Sequence, residues 1–301
     1  MDLRTRDRQG RLVRLRARRG ADQPRAGRLS RRPARSPPKP VPALTETYFQ
    51  ILLLCLAAFA AGFVDAIVGG GGLIQTPVSL VVLGPTHSVA SILATVKIPS
   101  FSGTSLAARQ YLRRVRIRWP LAALTCGTAF FASFGGSLLL TQVSNSFIKP
   151  VMLVVLAAVA VYTFVKKDFG QRPARDVPYP AQIRAAVVSS LILGFYDGFI
   201  GPGTGSFLIL AYIVFIGFDF LQASAHAKLT NLATNLGSIT LFLFKGKILW
   251  LFALPMAAAN ALGGYLGARL AIARGNRFIR VLFLVVVVGT LLRFCYDVFF
   301  R

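Results

Sequence analysis

The 301-residue chain is 54% hydrophobic and only 15% charged, with a mean hydropathy of +0.60. Soluble domains run nearer 25% charged, so there is too little polar surface here to wrap a water-soluble core of this size. The formal net charge of +25 does not mark a nucleic-acid binder. Its cations sit in one terminal segment and in short loops between apolar blocks, as the positive-inside rule and anionic lipid both favour.

Residues 1–40 hold fourteen Arg or Lys against three Asp, and the segment closes on a proline-rich run. Residues 1–44 are therefore expected to be a basic, disordered cytoplasmic tail. The charged stretch is too long for a signal peptide and no cleavage site follows. A tail held near lipid headgroups and an over-extended gene start both remain open.

Apolar blocks begin at Thr47. A membrane span needs about 20 apolar residues, which places spans at 48–68, 88–108, 119–141, 148–165, 185–200, 221–244, 248–271 and 281–298. Two shorter apolar pieces, 73–84 and 204–216, follow glycine-rich breaks and read as half-helices that enter the membrane without crossing it. The expected fold is all-α and polytopic, with about eight transmembrane helices. A first membrane repeat over 45–168 and a second over 185–301 are joined by a cytoplasmic linker, 169–184. Non-crossing half-helices put the tail, the Arg113 to Arg118 loop, the 166–184 loop and the Lys245-Gly246-Lys247 turn on one cytoplasmic side, with both termini. Arg274, Arg277 and Arg280 are the exception. Cys55, Cys126 and Cys295 lie in apolar blocks without metal spacing and read as small buried residues.

The repeat is visible residue by residue. Gly62-Phe63-Val64-Asp65-Ala66-Ile67-Val68-Gly69 matches Gly194-Phe195-Tyr196-Asp197-Gly198-Phe199-Ile200-Gly201. Lys97 matches Lys228, Trp119 matches Trp250, and Asn145 to Lys149 matches Asn276 to Arg280, at an offset of 131–132 throughout. Duplicated halves with Gly-interrupted segments in equivalent places point to a transporter's midplane site. Four spans per half predict two halves of the same orientation, related by an axis along the membrane normal.

Each half carries an Asp, a glycine break and a lysine. Asp65 precedes Gly69-Gly70-Gly71-Gly72, and Asp197 precedes Gly201-Pro202-Gly203-Thr204-Gly205. Glycine costs about 1 kcal/mol against alanine inside a helix, and backbone freed at membrane depth must meet protein or a water-filled cavity. Helices restarting there aim N–H groups at that cavity, which favours an anion; close helix packing by glycine is the structural alternative. Lys97 and Lys228 fall near helix centres, where a lysine costs about 2.5–3.5 kcal/mol and faces an interior path. Lys228, Asn231 and Asn235 share a helix face, whereas His226 points elsewhere, bridging to a neighbouring helix. Pairing of each lysine with Asp65 or Asp197 to hold the bundle is the alternative reading. Chemistry on a substrate is not expected: the Gly-x-Gly-Asp element of aspartyl intramembrane proteases, a His-Glu-x-x-His helix and a Gly-x-Ser-Gly turn are all missing from the sequence.

Gly62 to Leu73, the Lys97 helix, the Tyr111 to Trp119 basic loop and the second-half copy resemble the TauE/SafE family of sulfite and organosulfonate exporters. The resemblance spans residues 48–298 and implies a bacterial or archaeal inner-membrane transporter of small anions with four-plus-four helices. One departure is that the family's Gly-Thr-Asn-Lys reads Ala94-Thr95-Val96-Lys97 here.

The expected function is secondary transport of a small, sulfur-containing anion, coupled to an ion. Substrate contacts are expected from Lys97, Lys228, Gly70, Gly71, Gly72, Gly203, Thr204, Gly205, Asn231, Asn235, Thr95 and Ser102. Asp65 and Asp197 are the candidates for proton coupling, because burial disfavours a carboxylate's charged form. No cofactor, metal or nucleic acid is expected, and the partners are the anion and membrane lipid. A passive anion channel, or a scaffold without substrate, stays open, as does a homo-oligomeric state.

Overall fold

This computed structural model describes residues 46–148, 150, 151, 154 and 176–274 in full. It describes the backbone alone at 5–6, 12–13, 44–45 and 275–299. The chain divides into two units, Met1–Pro40 and Val41–Arg301. Within the first, Thr5–Arg6 pairs antiparallel with Leu12–Val13, a local pairing not anticipated from composition. Most of the expected span at 148–165 and residues 169–175 of the linker lie outside the described residues, and the linker's last residues, 179–184, are helical.

In the second unit the described elements are helical: α1 (Leu44–Val68), α2 (Gly72–Leu83), α3 (Val89–Leu112) and α4 (Trp119–Gln142), then α5 (Tyr179–Phe199) and α6 (Thr204–Ala211). A π-helical turn (Tyr212–Ile216) extends α6, and α7 (Phe220–Phe244) and α8 (Trp250–Phe299) follow. Side-chain caps start two of them at equivalent places. Ser88 accepts a hydrogen bond from the Ser91 N–H at α3, and Asp219 accepts one from the Gln222 N–H at α7, each satisfying an orphan donor of the first turn.

Glu46–Val68, Trp119–Gln142 and Trp250–Arg274 are long and apolar enough to cross a bilayer. The α2 helix has 12 residues, about 18 Å at 1.5 Å per residue, against a hydrocarbon core of about 30 Å. A half-helix at 73–84 is therefore met in length. Helices α3 and α7 are as long as α1, but they carry polar side chains inward, among them Thr95, Lys97, Thr104, Lys228, Asn231 and Asn235.

Glycines set the helix contacts. A Cβ on Gly263 or Gly267 of α8 would stand 2.1 or 2.3 Å from the carbonyl oxygens of Phe59 and Phe63 in α1. Likewise a Cβ on Gly136 of α4 would stand 2.1 Å from the Phe195 oxygen, and one on Gly198 of α5 would stand 2.0 Å from the Ser133 oxygen. Backbones approach this closely only where no side chain intervenes. Gly198→Leu is thus expected to lower the thermal unfolding midpoint in detergent sharply, with a loss of about 2–4 kcal/mol from overpacking. Gly127 has open space around its Cβ position, and Gly127→Ala is expected to be neutral or stabilising by about 0.5 kcal/mol.

The order of these contacts gives each helix a direction. Phe59 and Phe63 meet Gly263 and Gly267 in rising order, so α1 and α8 are parallel. Thr95 lies beside Leu249, Gly103 beside Gly264 and Gln110 beside Tyr265, so α3 also runs with α8. On the other side, Arg118 meets His226, Ser133 meets Thr234 and Ser137 meets Ser238, making α4 and α7 parallel. Helix α5 runs with α4 through Gly194 on Ala129 and Gly198 on Ser133. The N–H of Val89, at the start of α3, donates to Asn145 just beyond the end of α4, so these two sets are opposed.

Segments that align in sequence, α1 with α5, α3 with α7 and α4 with α8, therefore run in opposite directions. This corrects the expectation of two halves in one orientation. The physical reason lies in the half-helices: α2 and α6 each carry the chain back past the break, so α1 and α3 are parallel rather than opposed. Two further corrections follow. The Arg113 to Arg118 loop and the Lys245 to Lys247 turn stand at opposite ends of the bundle, not on one side. Residues 248–271 and 281–298 are joined in the single helix α8, whose 50 residues extend about 75 Å; the intervening Ala271 to Arg280 stretch holds no proline to stop it. Cys55 and Cys126 are half-buried and unbridged.

Candidate functional site: a polar cavity where two glycine breaks meet

The breaks between α1 and α2 and between α5 and α6 touch. The N–H of Ser206 donates to the Gly69 carbonyl at 3.1 Å, and its hydroxyl donates to the Val68 carbonyl at 2.8 Å. Gly69 has φ +80°, and a Cβ there would stand 2.4 Å from the Gly205 backbone. Gly201 and Gly203 also have positive φ. The two chain reversals thus need glycine both for their left-handed backbone and for their mutual approach. No side chain caps the N-terminus of α2 or of α6; backbone carbonyls take up the N–H groups of Leu73, Ile74 and Gln75 in α2 and of Thr204, Ser206 and Phe207 in α6, so these ends offer the adjoining space the positive end of a helix dipole.

That space is a cavity with about 50 Å³ of room for the centres of water-sized spheres, a few waters or one small ion. Of the residues expected at the site, Lys97, Asp65, Asp197, Gly71, Gly72, Gly203, Thr204, Gly205, Asn231 and Asn235 line it. Asn235 donates from Nδ2 to the Asn231 carbonyl at 2.8 Å.

Four expected residues stand elsewhere. Lys228 is buried behind Asp65, outside the cavity wall. Gly70 faces Ser206 and Val64 across the break. Thr95 points to the far side of α3, accepting from the Leu249 N–H at 3.0 Å and donating to the Ser91 carbonyl at 2.6 Å. Ser102 is half-buried and also outside the wall. His226 bridges as expected, its Nε2 accepting from the N–H of Arg118 at 3.3 Å.

The lysines and aspartates pair crosswise. Lys97 on α3 donates to the Asp197 carboxylate at 2.7 Å and to its backbone carbonyl at 2.6 Å. Lys228 on α7 donates to the Asp65 carboxylate at 2.7 Å and to the Asp65 carbonyl. Each ammonium therefore spans from one half of the chain to the other and caps the C-terminal end of the opposite first helix, where a cation is favourable. Lys97 and Asp197 are both almost fully buried, whereas Asp65 keeps 20% of its side chain accessible. A buried pair balances desolvation only with such extra hydrogen bonds.

The cavity also holds residues that were not anticipated. Gln75 of α2 and Asn260 of α8 are buried, line the wall, and are joined by a 2.9 Å hydrogen bond from Asn260 Nδ2 to Gln75 Oε1. Thr76 and Ser100 complete the polar lining. The available signal was an amide inside an otherwise apolar block, which at membrane depth marks function by default. The positions equivalent to Gln75 and Asn260 in the other half are Phe207 and Ala129, so this amide pair has no counterpart there.

The profile of the family described as “Sulfite exporter TauE/SafE” matches residues 54–294. The chain belongs to the TauE/SafE family. It is 34% identical over 259 residues to “Probable membrane transporter protein ORF9” of Sinorhizobium sp, covering 84% of this chain and 96% of that one. Against “Probable membrane transporter protein YfcA” of Escherichia coli strain K12 it is 31% identical over 245 residues, 81% and 89% of the two chains. A “Probable membrane transporter protein” of Haemophilus influenzae is 32% identical over 246 residues, 82% and 94% of the two chains. No solved structure matches. The family and these relatives are described as membrane transporters and not as enzymes.

Proposed function

We propose that this TauE/SafE member is a multi-pass secondary transporter that moves a small oxyanion, such as sulfite or an organosulfonate, across a bacterial inner membrane. The observation that carries the reading is the pair of crossed ion pairs bordering a small polar cavity that two uncapped half-helices share. Opposed halves with broken helices meeting at the middle are the architecture of inverted-repeat carriers. The four charged groups cancel. An anion is instead attracted by the positive dipole ends of α2 and α6, by the amides of Asn231, Asn235, Gln75 and Asn260, and by Lys97. Asp65 and Asp197 supply the proton coupling: protonating either frees a lysine for the substrate and unties one half from the other.

Counterflow in proteoliposomes tests the reading. Preloaded sulfite is expected to accelerate labelled uptake saturably, and Asp197→Asn to abolish uptake driven by a pH gradient while sparing counterflow. Driven uptake at the wild-type rate in Asp197→Asn would rule out the coupling, and unsaturable flux without counterflow would make the protein a channel. Asn260→Ala removes one amide of the cavity lining and is expected to raise the half-saturating anion concentration about tenfold, the cost of roughly one hydrogen bond to a charged group.

A further inference from the structure

A second polar pocket, of about 350 Å³, opens between α3 and α8, away from the central cavity. Its walls are Leu106, Arg109, Gln110, Arg113, Tyr265 and Arg269. Three guanidinium groups thus face one space, and neither ion pair among the described residues involves them. Like charges gathered in this way repel unless an anion joins them.

Helix electrostatics accounts for only part of the cluster. Arg109 and Arg113 lie at the C-terminal end of α3, where cations offset the helix dipole. Arg269 lies in the interior of α8 and has no such terminus to serve. Its guanidinium lies over the Tyr265 ring, 5.8 Å from the centroid, and Gln110 Nε2 donates to the Tyr265 carbonyl at 2.9 Å. The α8 wall is therefore docked on α3, and the arginines are presented together. Nor does the repeated architecture demand them: the equivalent positions in the other half are Thr240, Phe244, Phe134 and Leu138, none of them cationic.

Depth identifies the ligand. Arg269 follows Trp250 by about 28 Å along α8, close to the roughly 30 Å of a hydrocarbon core, so the cluster stands at headgroup level. Leu262 and Leu266, 55% and 40% exposed, continue the same face of α8 towards the bilayer centre. We infer that this pocket binds the phosphodiester headgroup of an anionic phospholipid, with an acyl chain along Leu262 and Leu266. Guanidinium forks match phosphate oxygens bidentately, and basic pockets between membrane helices suit such headgroups.

Thermal unfolding of delipidated protein in neutral detergent tests this, with phosphatidylglycerol, phosphatidylcholine or inorganic phosphate added. Phosphatidylglycerol is expected to raise the midpoint by several degrees and phosphatidylcholine to leave it unchanged, because only a ligand of the native state stabilises it. The triple variant Arg109→Gln/Arg113→Gln/Arg269→Gln should lose the increment, and Arg269→Gln alone, should the triple fail to fold, at least half of it. A Lys245→Gln/Lys247→Gln control, at the other end of the bundle, should keep it. An equal response to phosphatidylcholine, or an increment retained in the arginine variants, overturns the site. An increment reproduced by inorganic phosphate alone makes it a soluble-anion site and overturns the lipid assignment.

Discussion

Lys97→Ala is expected to abolish anion flux and to destabilise the fold together, because it leaves the Asp197 carboxylate buried without its partner. Asp197 keeps 5% of its side chain accessible and Lys97 8%, so water offers little compensation. Breaking a buried pair by removing one partner costs about 3–5 kcal/mol. Lys97→Met/Asp197→Asn separates the two effects. With both charges gone the fold should recover to within about 1 kcal/mol of wild type, while flux in liposomes stays at least tenfold down. A double variant transporting at the wild-type rate would show that the pair only holds α3 to α5. Lys228→Met/Asp65→Asn is the matching experiment in the other half, and there Asp65 is partly open to the cavity. Losing the second pair alone should therefore cost less stability than losing the first.

Gly69→Ala is expected to be more damaging than a one-carbon change suggests. Its φ of +80° is a conformation that costs an L-residue about 1–2 kcal/mol. The added Cβ would stand 2.4 Å from the Gly205 backbone carbon and 2.5 Å from the Ser206 nitrogen, contacts between main chains that no side-chain rotation relieves. Overpacking adds about 1–3 kcal/mol. The expected sum, about 2–5 kcal/mol, is read as a lowered unfolding midpoint in detergent and lost expression. Gly70→Ala, one residue on, meets nothing closer than 3.8 Å, and the φ of Gly70 is not positive. It should fold and transport, and equal damage at both positions would refute the account of the touching breaks.

Much of the site was legible because membrane depth makes polar residues conspicuous. Asp65, Lys97, Asp197 and Asn231 stand out as soon as apolar blocks are marked, and the offset of 131–132 residues pairs them by kind. Gln75 and Asn260 follow the same logic, yet they have no polar twin in the other half, so the repeat does not single them out. Thr95 and Ser102 were legible as polar positions near Lys97 but not as to face. In a helix carrying Pro99 and polar groups on several sides, spacing alone does not say which side meets the cavity.

What the sequence by itself determined is the class of the protein: a helical membrane chain in two related parts, with a charged pair and a broken helix in each. Composition, block length and periodicity are local quantities, and lipid enforces them one residue at a time. Only the tertiary structure decided which lysine meets which aspartate, that the two breaks touch, and that matching helices run in opposite directions. A half-helix that turns the chain and one that does not have the same composition and length. The difference lies in contacts between residues a hundred or more positions apart, such as Lys97 with Asp197 and Ser206 with Val68.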